Sequence, residues 1–289
     1  MTNPDIDWPS YNEKLVKRGE FYLDVRFVRT WHKELAAMNA KKRGRPYEYP
    51  KGLMDFSSIA YSFLGLPYRQ MEGFLRKLGS FLNFPAPSYT TPFRRMQKLE
   101  FEIPQPDGPV VVAVDSTGIK VTPRGEWMHK TWKGERKGWI KVSIAVDVRT
   151  KKLLSMEFSD ERSHDSTHFE KLLRPIPQIA DVLGDGAYSC RRCYNYCEGR
   201  GMKGPPGLKL HKNSTTKPMR SWLRQKAVLE WKQLGYDGWK VKHEYGQRWA
   251  VEGFFSAAKR CFGETVRAKT PEGMLREIRR NFVLYSALM

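Results

Sequence analysis

The 289-residue sequence contains no long apolar run. Nothing in it approaches the ~18 consecutive apolar residues of a membrane-spanning helix. Its basic residues are not gathered on one amphipathic segment either, so no membrane partner is expected. Cysteine is scarce, four residues in all, which is too few for a disulfide framework. The opening MTNPDIDWPS has neither a basic n-region nor an apolar h-region, so nothing there directs export, and a reducing, cytoplasmic location is expected. Internal repeats and low-complexity tracts are missing as well. Acidic residues are outnumbered: 31 Asp and Glu face 51 Lys and Arg, a formal charge of +20. A field of that sign attracts polyanions, nucleic acid first among them. What is present in quantity is apolar and aromatic: 40% hydrophobic and 13% aromatic residues, enough for a globular core.

The charge is unevenly distributed. Residues 1–100 carry 17 basic and 10 acidic side chains, 101–184 carry 13 and 12, and 185–289 carry 21 and 9. A near-neutral middle between two basic thirds points to a binding surface built from the ends of the chain. The first third reads as helical, with a helix over Asp24–Ala40 and two more over Leu53–Phe63 and Tyr68–Leu78, split by Gly65-Leu-Pro67. Two short helices around a tight turn suit a helix-turn-helix-like unit. Directly after the first of these helices, Lys41-Lys42-Arg43-Gly44-Arg45-Pro46 is either a solvated basic linker or an extended arm whose arginines enter a narrow minor groove. Thr90 or Thr91 is expected to cap a last helix carrying Arg94 and Arg95. Residues 102–109 are the best linker in the chain, so the expected division is a helical region at 1–101, a linker at 102–109 and a second domain at 110–289.

Past the linker the pattern changes to strands. Val110–Val114 is a β-branched run ending in Asp115, as a buried central strand reads. Lys141–Val148 and Lys152–Phe158 alternate as two strands around Arg149-Thr-Lys151. Ile179–Leu183 is another apolar strand, followed by Gly184-Asp185-Gly186-Ala-Tyr188. Helical runs follow at 189–198, 222–234 and 276–288. The stretch Tyr245-Gly-Gln-Arg248-Trp-Ala-Val-Glu252-Gly-Phe-Phe-Ser-Ala-Ala-Lys259 also reads as a helix. At about 100° per residue, Tyr245, Arg248, Glu252 and Lys259 share one stripe, beside an apolar stripe of Val251, Phe255, Ala258 and Phe262.

Each acid alone has a plain reading: an Asp after a strand is usually a turn residue or cap, and Arg248–Glu252 is an ordinary i,i+4 pair. Together they suggest more. Ligands collect outside the carboxyl ends of strands in open α/β sheets, so Asp115 and Asp185 are expected to converge, with Glu252 from the helix. Three convergent carboxylates repel one another unless hard cations neutralise them. Two Mg²⁺ ions, with Mn²⁺ as a substitute, are the cofactors such a site suits, for in-line phosphoryl transfer on DNA.

These residues carry a specific resemblance. Tyr245, Arg248, Glu252 and Lys259 match the Tyr-x(2)-Arg-x(3)-Glu-x(6)-Lys signature of DDE-type insertion-sequence transposases at every position. Val-Ala-Val-Asp115-Ser-Thr-Gly and Gly184-Asp185-Gly186-Ala-Tyr188 resemble the two aspartate motifs of that family. Gly125-Glu126-Trp127 with Trp139-Ile-Lys141 is similar to its hairpin region. Gly44-Arg-Pro46, Tyr68-Arg-Gln-Met-Glu-Gly73-Phe and Tyr89-Thr-Thr-Pro-Phe-Arg94-Arg95 are similar to its N-terminal domain. The resemblance implies an α/β fold: a ribonuclease H-like mixed sheet flanked by helices, with a small all-α N-terminal DNA-binding domain. It implies Asp115, Asp185 and Glu252 as catalytic metal ligands and Arg248 and Lys259 on DNA phosphate. Tyr245 is carried over as a signature position only. Arg43, Arg45, Arg94 and Arg95 join it as candidate DNA-binding residues. The expected activity is cleavage and strand transfer at the ends of an insertion sequence, by a homodimer on double-stranded DNA in the nucleoid. The alternatives are a ribonuclease H-like nuclease without strand transfer and a catalytically silent DNA-binding relative.

Other candidates carry weaker cases. Cys190, Cys193 and Cys197 fall on one helix face and with His211 suggest zinc, but three ligands on one helix are awkward and buried apolar packing is the preferred reading. His164, Asp165 and His168 read as a loop entering a helix, and Asp147 as a strand end. Asp160 is a further acid in this region. Trp127, Trp132 and Trp139 either stack on bases or pack against the sheet.

Overall fold

The structure, a computed structural model, describes residues 7–121, 138–215 and 220–289. Gly125-Glu126-Trp127 and Trp132 lie outside the described residues. The chain divides into two compact units, Met1–Glu100 and Phe101–Ala287.

The first unit contains α1 (Trp8–Tyr22), α2 (Phe27–Asn39), α3 (Lys51–Phe63), α4 (Tyr68–Leu82) and α5 (Thr90–Met96). Its core is aromatic and aliphatic: Phe27, Trp31, Leu53, Phe56, Met71 and Leu75 are buried together. The break between α3 and α4 follows from Gly65, whose φ of 68° is a left-handed conformation that glycine adopts without strain. Pro67 then precedes the first turn of α4. The expected threonine cap on α5 is not made. The Ser88 hydroxyl lies over Thr90 instead, and the Tyr89 N–H donates to Glu72 Oε2 at 2.8 Å.

The second unit is built on a six-stranded sheet: β1 (Val110–Val121), β2 (Trp139–Asp147), β3 (Leu153–Asp160), β4 (Ile179–Gly184), β5 (Gly207–Leu208) and β6 (Thr265–Val266). The order is β3-β2-β1-β4-β5, with β6 also on β1. The first three strands are antiparallel neighbours, whereas β4, β5 and β6 run parallel to their partners. The helices are α6 (Phe169–Leu173), α7 (Arg191–Gly199), α8 (Trp222–Lys242), α9 (Trp249–Phe262) and α10 (Pro271–Ala287). This is the mixed, helix-flanked sheet of a ribonuclease H-like fold.

One face of the sheet buries Val112, Val114 and Val182 against Tyr188, Cys193, Tyr194, Leu223 and Val228. Each such side chain contributes about 1.5–3 kcal/mol on burial. On α9, Phe254 packs edge-on to Tyr285 of α10 at 4.9 Å, so the buried face of α9 includes Phe254 as well as Val251, Phe255 and Ala258. The linker expected at 102–109 has no helix or strand, and Gln105 ties it to the second unit by donating to the Leu154 carbonyl at 3.1 Å.

Three elements differ from the sequence expectation. Strand β1 does not stop at Asp115 but continues to Val121, because β2 pairs with it from Val112 to Lys120 and β6 takes its other edge at Lys120. What ends near Asp115 is only the pairing to β4. The helical run at 222–234 extends to Lys242 through a kink at Gly235, whose φ is 67°. The stretch 245–259 is not one helix: Tyr245–Arg248 forms a 3₁₀ turn entered through Glu244 in a left-handed conformation, and α9 starts at Trp249.

Candidate active site

Strand register brings the two aspartates to one place. Ala113 is paired with Leu183 across parallel β1 and β4. Asp115 and Asp185 are therefore each two residues beyond the same rung. Val112, Val114 and Val182 face one core, so alternation turns Ala113, Asp115 and Leu183 to the opposite face. Asp185 follows directly on β4. Its Oδ1 accepts the Ala187 N–H at 2.9 Å and so caps the short 3₁₀ turn Gly186–Tyr188. That turn drives Tyr188 into the core, where its hydroxyl lies 3.3 Å from Ser116 Oγ.

The third element arrives through two side chains of the Tyr245–Arg248 turn. Tyr245 is buried and donates its hydroxyl to the Gly184 carbonyl at 3.2 Å. Burial pushes its phenol up to about 12, so it remains a donor at neutral pH. Arg248 lies between two acids: Nη1 is 3.7 Å from Asp115 Oδ2, and Nη2 donates to Glu252 Oε1. Burial opposes the guanidinium charge, but Tyr245, Glu252, Asp115 and Asp185 outweigh it and hold the group cationic. Asp115 is pushed the other way. Burial first, and the carboxylates of Asp185 and Glu252 in addition, raise it to about 6, against the Ser116 N–H and Arg248, which pull it down.

Asp115 thus feels the charge of both Asp185 and Glu252, and Arg248 is the cation that Asp115 and Glu252 share. Among the described residues no three His, Cys, Asp or Glu side chains are drawn together at metal-ligand spacing. Lys259, partly buried on α9, forms no ion pair among the described residues. Asp165 is ion-paired with Lys141. His164 and His168 are engaged with Ser166 and Ser163. Asp147 ends β2, as expected, and accepts from Arg149, Thr150 and the Thr150 hydroxyl in the turn that follows. Trp139 packs on the sheet over Gly118, where a Cβ would meet its ring at 2.8 Å. Cys193 and Cys197 are buried and Cys190 packs against the same core, while His211 lies instead against Gly186.

Beside Asp185 opens a pocket of about 540 Å³ lined by Lys209, His211, Tyr236, Lys240, Arg248 and Trp249. Trp249 is 73% exposed. Lys209 and Lys240 carry no signal in the sequence that marks them out from other lysines. Trp249 had a signal, since a tryptophan off the apolar stripe of an amphipathic helix has no core to enter.

In the first unit, Arg43 and Arg94 are exposed. Arg45 is exposed and paired with Glu48 at 2.6 Å. Arg95 is turned inward: it donates to the Tyr49 carbonyl and stacks over the Tyr47 ring at 5.0 Å, and burial lowers its pKa.

A ribonuclease H-like sheet with one acid inside β1, one just past β4 and one on a following helix defines a class of nucleic-acid phosphoryl-transfer proteins. A model of the transposase DDE domain matches residues 106–286, and a second transposase DDE domain model matches residues 16–124. The chain belongs to the DDE transposase family. That family implies DNA binding and metal-dependent nuclease or transferase chemistry. No helix among the described residues is long and apolar enough to cross a membrane.

Proposed function

We propose that this protein is an insertion-sequence transposase of the Tyr-Arg-Glu-Lys type. It binds the terminal inverted repeats of its element, cleaves DNA strands there and joins the freed 3′-hydroxyls to target DNA. The position of Arg248 supports this reading most directly: one guanidinium pairs with strand-borne Asp115 and with Glu252 on the signature helix. Arg248 is then the residue through which the helix acid is linked to Asp115.

The donors fit a divalent cation in their chemistry. All three are carboxylates, and the charged form of Asp115 is disfavoured by burial and by its two acidic neighbours, a cost that a cation relieves. Asp115, Asp185 and Glu252 are the residues that would hold Mg²⁺, or Mn²⁺ in its place. Ions of this kind, when bound, activate a water or 3′-hydroxyl and stabilise the leaving oxygen. The remaining work falls to the chain. Arg248 and Lys259 bind the DNA phosphates. Lys209 and Lys240 extend that cationic track along the pocket beside Asp185. Tyr245 anchors the turn that carries Arg248. The helical region at 1–101, with Arg43, Arg45 and Arg94, recognises element ends, while Arg95 braces that region from within; 102–109 links it to the catalytic domain at 110–289, and two copies synapse the two ends.

The test uses a supercoiled plasmid carrying the element's ends, incubated with Mg²⁺. Asp115→Asn, Asp185→Asn and Glu252→Gln should each abolish nicking and joining while leaving gel-shift affinity little changed. Cleavage retained in all three variants overturns the mechanism. Cleavage without joining, when 3′ ends are supplied pre-cut, assigns the protein to the hydrolytic nucleases instead.

A further inference from the structure

Cys190, Cys193 and Cys197, at the start of α7 and within it, play no part in the site described above, yet two of them stand in a particular relation. Cys190 is the residue that precedes α7, and its carbonyl accepts the Cys193 and Tyr194 N–H groups of the first turn at 3.1 and 3.3 Å. Cys193 lies one turn in and is fully buried. The two sulfurs are 3.5 Å apart. Cys190 is the outer member of the pair, part-exposed, with Arg191 and Arg192 following it. The spacing Cys-x-x-Cys at the start of a nine-residue helix gives the outer sulfur the helix N-terminus and the inner sulfur a dry environment. Those are the conditions that separate an attacking thiolate from a resolving thiol.

We propose that Cys190 and Cys193 are a redox-active dithiol, a covalent modification site that exchanges with small-molecule disulfides such as oxidised glutathione. The Cys190 thiolate attacks one sulfur of the oxidant, breaks its S–S bond and expels one glutathione thiolate. The Cys193 sulfur, losing its proton, then attacks Cys190 Sγ in the mixed disulfide and expels the second glutathione. The protein pair is oxidised by two electrons, the oxidant is reduced by two, and the two thiol protons end on the two glutathiones. The charge distribution agrees with these roles. The Cys193 S–H lowers the Cys190 thiol, and the same contact followed by burial raises Cys193. Cys197 is excluded as the resolving partner by its place a full turn deeper in the core, where burial raises it as well.

The site has a neighbour of consequence. Two residues before Cys190, Tyr188 reaches Ser116 beside Asp115, and Asp185 opens the turn that leads into the helix. A disulfide at 190–193 therefore forms at the base of the element that positions Asp185.

The experiment uses the full chain with exposed Cys261 replaced by serine, to prevent coupling between molecules. The reduced protein is equilibrated in glutathione buffers of increasing oxidised fraction, quenched by alkylation and digested with trypsin. Cleavage after Arg191 and Arg192 separates the two cysteines, so an oxidised pair appears as two peptides joined by a disulfide. The expected result is a joint loss of alkylation at Cys190 and Cys193 with loss of two hydrogens, while Cys197 stays alkylated or unreactive. Cys193→Ser should trap one glutathione on Cys190, and Cys190→Ser should trap none. Cys190 still alkylated in fully oxidised buffer, or a disulfide joining Cys190 to Cys197, overturns the proposal.

Discussion

The Tyr245 hydroxyl donates to the Gly184 carbonyl at 3.2 Å, tying the turn that precedes Glu252 to the residue that precedes Asp185. The Lys209 N–H donates to the same carbonyl at 3.0 Å, so losing the phenol does not orphan the acceptor. Tyr245→Phe should therefore cost only about 1 kcal/mol of stability and lower strand cleavage more than DNA affinity, because Arg248 and Glu252 lose their fixed height against Asp185. Urea unfolding and a plasmid-nicking assay on the same preparation check both halves. Complete inactivity at unchanged stability would assign the phenol a chemical role instead of a positional one.

Asp115 should behave as an acid that the fold holds against its own stability. Burial and two carboxylates raise it to about 6, above its unfolded value. Its contribution to stability is thus fully present below the unfolded pKa, is lost as pH rises towards 6, and stays lost above. With divalent cations chelated, Asp115→Asn should be more stable than the parent at pH 7.5, by about 1–3 kcal/mol. The gap should close as pH falls towards 4. Thermal melts across that range decide it, and a variant less stable than the parent at neutral pH contradicts the reading.

His243 is shifted in the same direction for a different reason, since there the fold favours the charged form. Its Nε2 is 2.6 Å from Glu230 Oε1 and its Nδ1 3.3 Å from Asp181 Oδ2. Lys242 also pairs with Glu230, and the rings of Trp239 and the Tyr245 beyond it complete the surroundings. Burial opposes the imidazolium, but the hydrogen bonds to Asp181 and Glu230 outweigh it and raise the pKa. The stabilisation is present below the unfolded pKa and fades as pH rises through the higher folded one. His243→Gln should cost about 1–3 kcal/mol at pH 6 and clearly less at pH 9, read by urea unfolding at both values. An equal cost at both would mean the histidine is neutral in the folded protein.

The two strand aspartates and the acid on the helix were legible because apolar strands and an amphipathic stripe leave strong periodic signals. The fate of β1 beyond Asp115 was not, since its continuation depends on partners contributed by residues 139–147 and 265–266, and nonlocal pairing leaves no local pattern. Tyr245 was legible as a residue of interest but not as a tether, because its partner is a backbone carbonyl 61 residues away. The 3₁₀ turn at Tyr245–Arg248 changes the angular offset of these residues from the ideal helical stripe. Arg248 proved to be a partner of both Asp115 and Glu252, where periodicity alone gave only the second. Phe254 falls outside the stripe drawn through Val251, Phe255, Ala258 and Phe262, and α10 supplies Phe282 and Tyr285 to cover it.

The pocket beside Asp185 gives a prediction that separates backbone contact from catalysis. Lys209 and Lys240 are exposed on its wall, and neither touches Asp115, Asp185 or Glu252 through a hydrogen bond or ion pair among the described residues. If DNA runs through this pocket, each lysine neutralises about one phosphate and releases counterions on binding. Lys209→Ala with Lys240→Ala should then weaken binding to element ends and to unrelated duplex alike. The slope of log affinity against log salt should become shallower by about 2. Fluorescence anisotropy titrations between low and physiological salt measure that slope. An unchanged slope places the DNA elsewhere on the protein, whereas a loss confined to element ends would mean that these lysines read sequence.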